Sequence, residues 1–286
     1  MKPFDQNEPS NHPDNDFQAP VVPPDLQYLH DVEIGMGGDR TLKMEICYPK
    51  PAPPEPWPVL IYIHGGGWNH GSKNQHANKI IGYAKRGYVG VAIEYRLTPE
   101  GAVFPAQIED CKLAVRYLRA HAQKYHLDPD RIGVWGSSAG AHLASLLGTL
   151  PPGKFEGTGG WENYSSRVQA VVDWFGPADF TSEFADQWRS LIALLGKKPS
   201  EDPEWAKAAM PGTYASDDDP PFLIMHGTND TVVPFADSQS FYQCLIDAGV
   251  DATFIPVEGA GHGFSDYPEA SQKAWEFLER HLKKKK

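Results

Sequence analysis

The sequence predicts one α/β domain with a mainly parallel central sheet and helices on both faces. Three observations lead there. From Val59 onward, apolar runs of strand length alternate with helical segments. Runs such as Val59-Leu60-Ile61-Tyr62-Ile63 lack polar alternation, the mark of strands covered on both faces. The residues with evident chemistry follow those runs directly, at the carboxyl ends of strands, where open parallel sheets place their sites.

The elements follow in order. Residues 1–24 are rich in proline, asparagine and aspartate without apolar period and predict an extended arm; residues 25–286 form the domain. Leu26 to Ile34 and Leu42 to Tyr48 predict a strand pair around a turn at Gly35 to Asp39. Leu42, Met44 and Ile46 alternate with polar residues, which suits antiparallel edge strands with one wet face. After the first buried strand, Val59 to His64, helix Asn74 to Arg86 leads to strand Val89 to Tyr95. Pro105 opens a helix that carries Ile108, Cys111, Val115 and Leu118 on one face. A turn at His126 to Asp130 feeds strand Arg131 to Trp135, then an alanine- and leucine-rich helix from Ala139 to Leu147. Strand Val168 to Phe175 follows. Residues 180–219, with short helices at Trp188 to Gly196 and Trp205 to Met210, are the expected site of a small cap. Asp217-Asp218-Asp219 reads as a solvated turn. Strand Phe222 to His226, helix Pro234 to Ala248, strand Ala252 to Val257 and helix Glu269 to Leu282 complete the alternation, and Lys283 to Lys286 is a solvated tail.

Bulk composition narrows the function. A chain of 286 residues, 41% hydrophobic, buries a large core, and a net charge of -11 offers no basic face to nucleic acid. No apolar run reaches the eighteen or so residues of a membrane span. The first residues lack the apolar core of a signal peptide, so the expectation is a cytoplasmic chain, or a secreted one whose leader was removed. Cys47, Cys111 and Cys244 are too widely spaced for a zinc motif or disulfide framework; Cys111 and Cys244 fall in helical apolar registers and are expected in the core.

The chemistry centres on Gly136-Ser137-Ser138-Ala139-Gly140, between strand and helix. A G-x-S-x-G turn holds its serine on a strained corner, and the following helix directs free N–H groups at it. A serine hydroxyl needs a base to take its proton, and an imidazole needs a carboxylate to fix its tautomer. Asp230 directly follows a buried strand and His262 sits in the glycine-rich loop after the last one, so Ser138, Asp230 and His262 are the expected triad. His226, at a strand end, reads as structural. His64-Gly65-Gly66-Gly67-Trp68 follows the first buried strand; the Gly66 and Gly67 amides, with that of Ala139, are the expected oxyanion donors, and His64 braces the loop. No metal or cofactor is called for.

These motifs, with Tyr95-Arg96-Leu97, Phe104-Pro105-Ala106 and Asp110, resemble the α/β-hydrolase fold. More narrowly they are similar to the branch holding hormone-sensitive-lipase-like carboxylesterases and bacterial bifunctional acetyl xylan and feruloyl esterases. The order Ser, Asp, His is that of the fold. Two departures are visible: Ser137 stands where hormone-sensitive-lipase-like enzymes often have Asp, and the N-terminal residues are expected to form an extended arm where those enzymes often have a long helical cap. The short cap and the His64-Gly65-Gly66-Gly67-Trp68 loop look closer to the bifunctional carbohydrate esterases. The resemblance implies a serine esterase acting on acetyl or feruloyl esters of plant carbohydrate such as xylan. A general short-chain carboxylesterase is the main alternative, and a non-catalytic hydrolase-fold binding module the remote one. It also assigns Tyr95-Arg96-Leu97 as a brace beneath the oxyanion loop. Trp68, Trp174, Phe175 and Trp161 are candidate sugar- or feruloyl-stacking aromatics, with Trp188 equally suited to the core. Expected partners are a small-molecule or polysaccharide-borne ester, without nucleic acid or membrane, to a monomer or homodimer.

Overall fold

A computed structural model describes residues 18–182 and 184–284. Residues 1–17 of the expected arm, with Lys285 and Lys286, lie outside the described residues; residues 18–23 run without regular secondary structure. Strands β1 (Leu26–Gly37) and β2 (Arg40–Pro49) form an antiparallel hairpin. The turn is tighter than expected, because Gly35, Met36 and Gly37 stay paired with Leu42, Thr41 and Arg40. The second face of β2 is also not wet. Glu45 and Cys47 are fully buried there, under helix α1 (Ala77–Lys85) and the side chain of Lys73.

Six parallel strands follow: β3 (Trp57–Ile63), β4 (Val89–Ile93), β5 (Leu127–Ser137), β6 (Ala170–Trp174), β7 (Phe222–Gly227) and β8 (Ala252–Val257). The sheet runs β1-β2-β4-β3-β5-β6-β7-β8, with β2 antiparallel to β4 and every later neighbour parallel. Strand β5 begins at Leu127, within the segment expected to be a turn, because Leu127 pairs with Trp57 at the start of β3.

Helices α2 (Ala106–Ala120), α3 (Ala122–Tyr125) and α4 (Ala139–Thr149) precede two short ones, α5 (Arg189–Leu195) and α6 (Pro203–Ala208). The chain closes with α7 (Phe235–Asp247) and α8 (Pro268–Leu282). Side chains alternate across each strand, so the sheet has two cores. Val59, Ile61 and Ile63 of β3 face the layer of α2, α4 and α7, where Leu118, Leu143 and Phe241 pack. Leu60 and Tyr62 face α1 and α8, where Ile80, Phe277 and Leu278 pack. At roughly 1.5–3 kcal/mol for each fully buried large aliphatic or aromatic side chain, these two layers fix the strand ends against one another. Among the described residues, no helix is long and apolar enough to cross a membrane.

Cys47 and Cys111 are buried, but Cys244 is exposed, contrary to its expected register. The inward stripe of α7 is narrow: Phe241 and Leu245 fill it, and Cys244 turns to the flank.

Candidate active site

Ser138 stands at the corner between β5 and α4 with φ 54° and ψ −127°, a conformation that L-residues rarely adopt. The corner is held by its surroundings. Ser138 donates its N–H to the Trp174 carbonyl at 2.9 Å, and its own carbonyl receives the amides of Ala141 and His142. The glycine requirement is steric: a Cβ on Gly140 would run into the Ile63 carbonyl of β3. The strained serine therefore projects where three strand ends meet.

His262 reaches it from the loop after β8. The Ser138 hydroxyl lies 2.9 Å from His262 Nε2, and His262 Nδ1 lies 2.7 Å from Asp230 Oδ2. With Nδ1–H donated to the carboxylate, Nε2 is left as acceptor for the serine proton. The Phe175 ring packs on the imidazole with centroids 4.6 Å apart and limits its rotation.

Asp230 is saturated. Its Oδ1 accepts the amides of Val232 and Val233 at 2.8 and 3.1 Å, and its Oδ2 accepts from both His262 and His226. Burial pushes this carboxyl up, but the bonds from His226, His262 and the two amides outweigh it and hold it well below the usual carboxylate range. His226 is itself fixed: the Ser238 hydroxyl stands 2.7 Å from Nδ1, and Nε2 also faces the Val233 carbonyl at 3.2 Å. Two acceptors face Nε2, so the proton sits there.

The loop after β3 supplies the third component. Gly66 and Gly67 have φ of 107° and 56°, and a Cβ on Gly66 would meet the His70 carbonyl. Among the described residues, the amides of Gly66, Gly67 and Ala139 meet no protein acceptor. His64 is buried, and burial lowers its pKa to about 4, so it is neutral near pH 7. Its ring stacks on Tyr95 at 4.4 Å, and the Tyr95 hydroxyl donates to the His64 carbonyl at 3.0 Å. Arg96 is in turn clamped on Asp110 by two nitrogens, and the Thr98 amide donates to the Trp68 carbonyl. Tyr95, Arg96 and Asp110 thus lie beneath the loop as a hydrogen-bonded support.

The sequence-derived aromatics divide. Trp68 is fully buried, so it forms no part of a substrate wall. Its φ of 59° turns the indole inward, where Nε1 donates to His142 and the ring meets Phe180 edge-on. Trp161 likewise belongs elsewhere: it donates to the Ile34 carbonyl and packs on Tyr117 and His121. Phe175 supports His262, while Trp174 is half-buried beside Trp135 and Phe264. Sequence reasoning missed Ser238 and Asp173. Asp173 accepts from Ser145 and the Gly176 amide at 2.6 and 2.8 Å, which fixes the loop carrying Phe175. Its position one residue before Trp174 was the available signal. Residues 180–219 come close to the oxyanion loop: Ser190 of α5 sits against Gly67, and Trp188 lies 6.3 Å from Trp68.

Comparison with known proteins agrees with this geometry. The family described as BD-FAE matches residues 44–245. A probable carboxylic ester hydrolase, LipM of Mycobacterium tuberculosis, is 37% identical over 194 residues, covering 66% of this chain and 44% of that protein. Among solved structures, a bifunctional GH43-CE protein of Bacteroides eggerthii superposes with a TM-score of 0.78 at 35% identity, over 87% of this chain and 37% of that one. A truncated carbohydrate esterase from gut microbiota gives a TM-score of 0.76 at 32% identity, over 89% and 96%. The chain spans about half the length of the curated relatives it matches.

Proposed function

The chain belongs to the BD-FAE family and has the α/β-hydrolase fold, and from that premise we propose that it is a carboxylic ester hydrolase working through a serine acyl-enzyme. The observation that carries the reading is the continuous relay Ser138–His262–Asp230 with links of 2.9 and 2.7 Å. Ser138 Oγ attacks the ester carbonyl as its proton passes to His262 Nε2. The resulting imidazolium is stabilised by the ionised Asp230 at Nδ1. The amides of Gly66, Gly67 and Ala139 receive the oxyanion, a contribution of about 3–4 kcal/mol for each well-placed donor. His262 then returns the proton to the leaving alcohol, and water attacks the acyl-serine by the same route.

For substrate, the reading is an acetyl or feruloyl ester on plant carbohydrate such as xylan. Its support is the likeness to a carbohydrate esterase and to the GH43-CE protein. A general short-chain carboxylesterase is the second reading, favoured by the similarity to LipM. Release of acetate and ferulate from acetylated xylan and methyl ferulate, beside p-nitrophenyl acetate, separates them, with Ser138→Ala as control. Release from xylan supports the first reading, and turnover of the nitrophenyl ester alone supports the second. Absence of any Ser138-dependent turnover rejects both and leaves a hydrolase-fold binding module.

A further inference from the structure

Beside the triad, between α1 and α8, lies an open cleft of about 590 Å³ that the relay does not use. Its floor is aromatic: Tyr62, Trp135 and Trp174, with Trp275 on the α8 side. The cleft adjoins the reaction centre through two lining residues. Ser137 precedes the nucleophile and bonds Tyr62 at 2.9 Å, and Phe175 backs His262. In a chain of net charge -11, the lining includes Lys79 and Arg86 and no carboxylate. Arg86 lies over Trp275 and has Glu279 at 4.0 Å. Lys79 differs. Its Nζ stands 3.7 Å above the Tyr62 ring and within 6 Å of Trp135 and Trp174, and among the described residues no carboxylate comes within ion-pair distance of it.

An ammonium held on ring faces has no anion to neutralise it. Flat aromatic surface suits the C–H face of a sugar ring, and the volume exceeds that of one monosaccharide. We propose that this cleft is a subsite for an acidic sugar: a uronosyl unit of the ester-bearing glycan packs on Trp174 and Trp275 while its carboxylate pairs with Lys79. The assignment rests on the carbohydrate reading of the active site and adds a charge preference to it.

Two measurements test the subsite and keep its failure separate from failure of the esterase reading. Titration calorimetry with Ser138→Ala uses an unesterified xylo-oligosaccharide bearing one uronosyl group and its carboxyl-reduced, neutral counterpart. The acidic form is expected to bind five- to tenfold tighter, with the difference shrinking as salt rises. In the active enzyme, kcat/KM for acetylated acidic over acetylated neutral oligosaccharide is expected to show the same ratio, expressed in KM. Lys79→Met brings the ratio to about one and Lys79→Arg restores most of it. Equal binding of the two forms, or a ratio indifferent to Lys79→Met, overturns the subsite even when p-nitrophenyl acetate is turned over. If Lys79→Met does not fold, the calorimetric comparison alone decides. Loss of nitrophenyl ester turnover in the unaltered chain counts against the esterase reading and leaves the binding comparison to judge the cleft.

Discussion

His226 and His262 approach the same atom, Oδ2 of Asp230, at 3.1 and 2.7 Å. A carboxylate oxygen shared by two imidazoles is fixed in position twice, once by the buried wall of α7 and once by the catalytic loop. His226 is thereby a positioning residue. His226→Ala is expected to lower kcat about tenfold for p-nitrophenyl acetate with KM changed less than about twofold, because Asp230 loses an anchor while the acyl site is untouched. Asp230→Asn, which removes the charge itself, is expected to cost about 10³–10⁴. Steady-state kinetics at a temperature well below each variant's Tm check this, and an unaltered kcat in His226→Ala sinks it.

A second expectation concerns space rather than charge. Gly140 and Gly263 both flank catalytic residues, yet only Gly140 is pressed by backbone, from Ile63 and His64. Gly263 has nothing within 4 Å of an added Cβ. Gly140→Ala is therefore expected to destabilise by about 2–3 kcal/mol or more, and Gly263→Ala by less than about 0.5 kcal/mol. In a chain of this size the first lowers Tm by roughly 3–5 °C. Calorimetric scans of both decide it: equal melting points contradict the steric account.

That contrast shows what the sequence makes legible. Ser138, Asp230 and His262 were readable because each lies just past a run of apolar residues, and the ends of parallel strands converge whatever the details of packing. Trp68 holds the same kind of address, but its backbone turn sends the indole into the core, and side-chain direction at a loop corner is not written in hydrophobic period. The wet face expected of β2 failed for a related reason. Glu45 looks solvent-facing by alternation, and its burial is made tolerable by the distant Lys73 together with His30 and the Asp31 amide. Partners separated by 28 positions leave no local trace.

Acid is expected to weaken the molecule through His142. Burial lowers its pKa from 6.5 to about 4, against a raising contribution from its bond to the Ala209 carbonyl. Nε2 faces that carbonyl at 2.7 Å and Nδ1 accepts from Trp68, so a second proton would set donor against donor. The unfolded chain takes up that proton first. Stability from this group is thus complete above pH 6.5, falls as pH drops toward 4, and levels off below, at up to about 1.4 kcal/mol per pH unit. Urea melts of wild type and His142→Gln across pH 4 to 7 are expected to converge toward the acid end. Parallel curves contradict the assignment.

The last expectation concerns the far end of the oxyanion loop, where Ser72 and Lys73 leave the site. Lys73 is 1% exposed, and its ammonium lies 2.5 Å from Asp31 Oδ1 and 2.9 Å from Glu45 Oε1, with Glu45 wholly buried. Asp31 feels burial pushing its pKa up, but the bonds from Lys73 and Lys43 prevail and lower it to about 2. The cluster ties the β1–β2 hairpin to the loop that carries Gly66 and Gly67. Removing the Lys73 cation leaves the buried Glu45 carboxylate only His30 and the Asp31 amide, so Lys73→Met is expected to cost about 3 kcal/mol. Removing the buried acid as well relieves that cost: Lys73→Met with Glu45→Leu is expected to recover half or more of it. Denaturant titration of the two single variants and the double gives the coupling directly. A double variant no more stable than Lys73→Met would mean that Lys73 holds the loop by packing of its stem rather than by its charge.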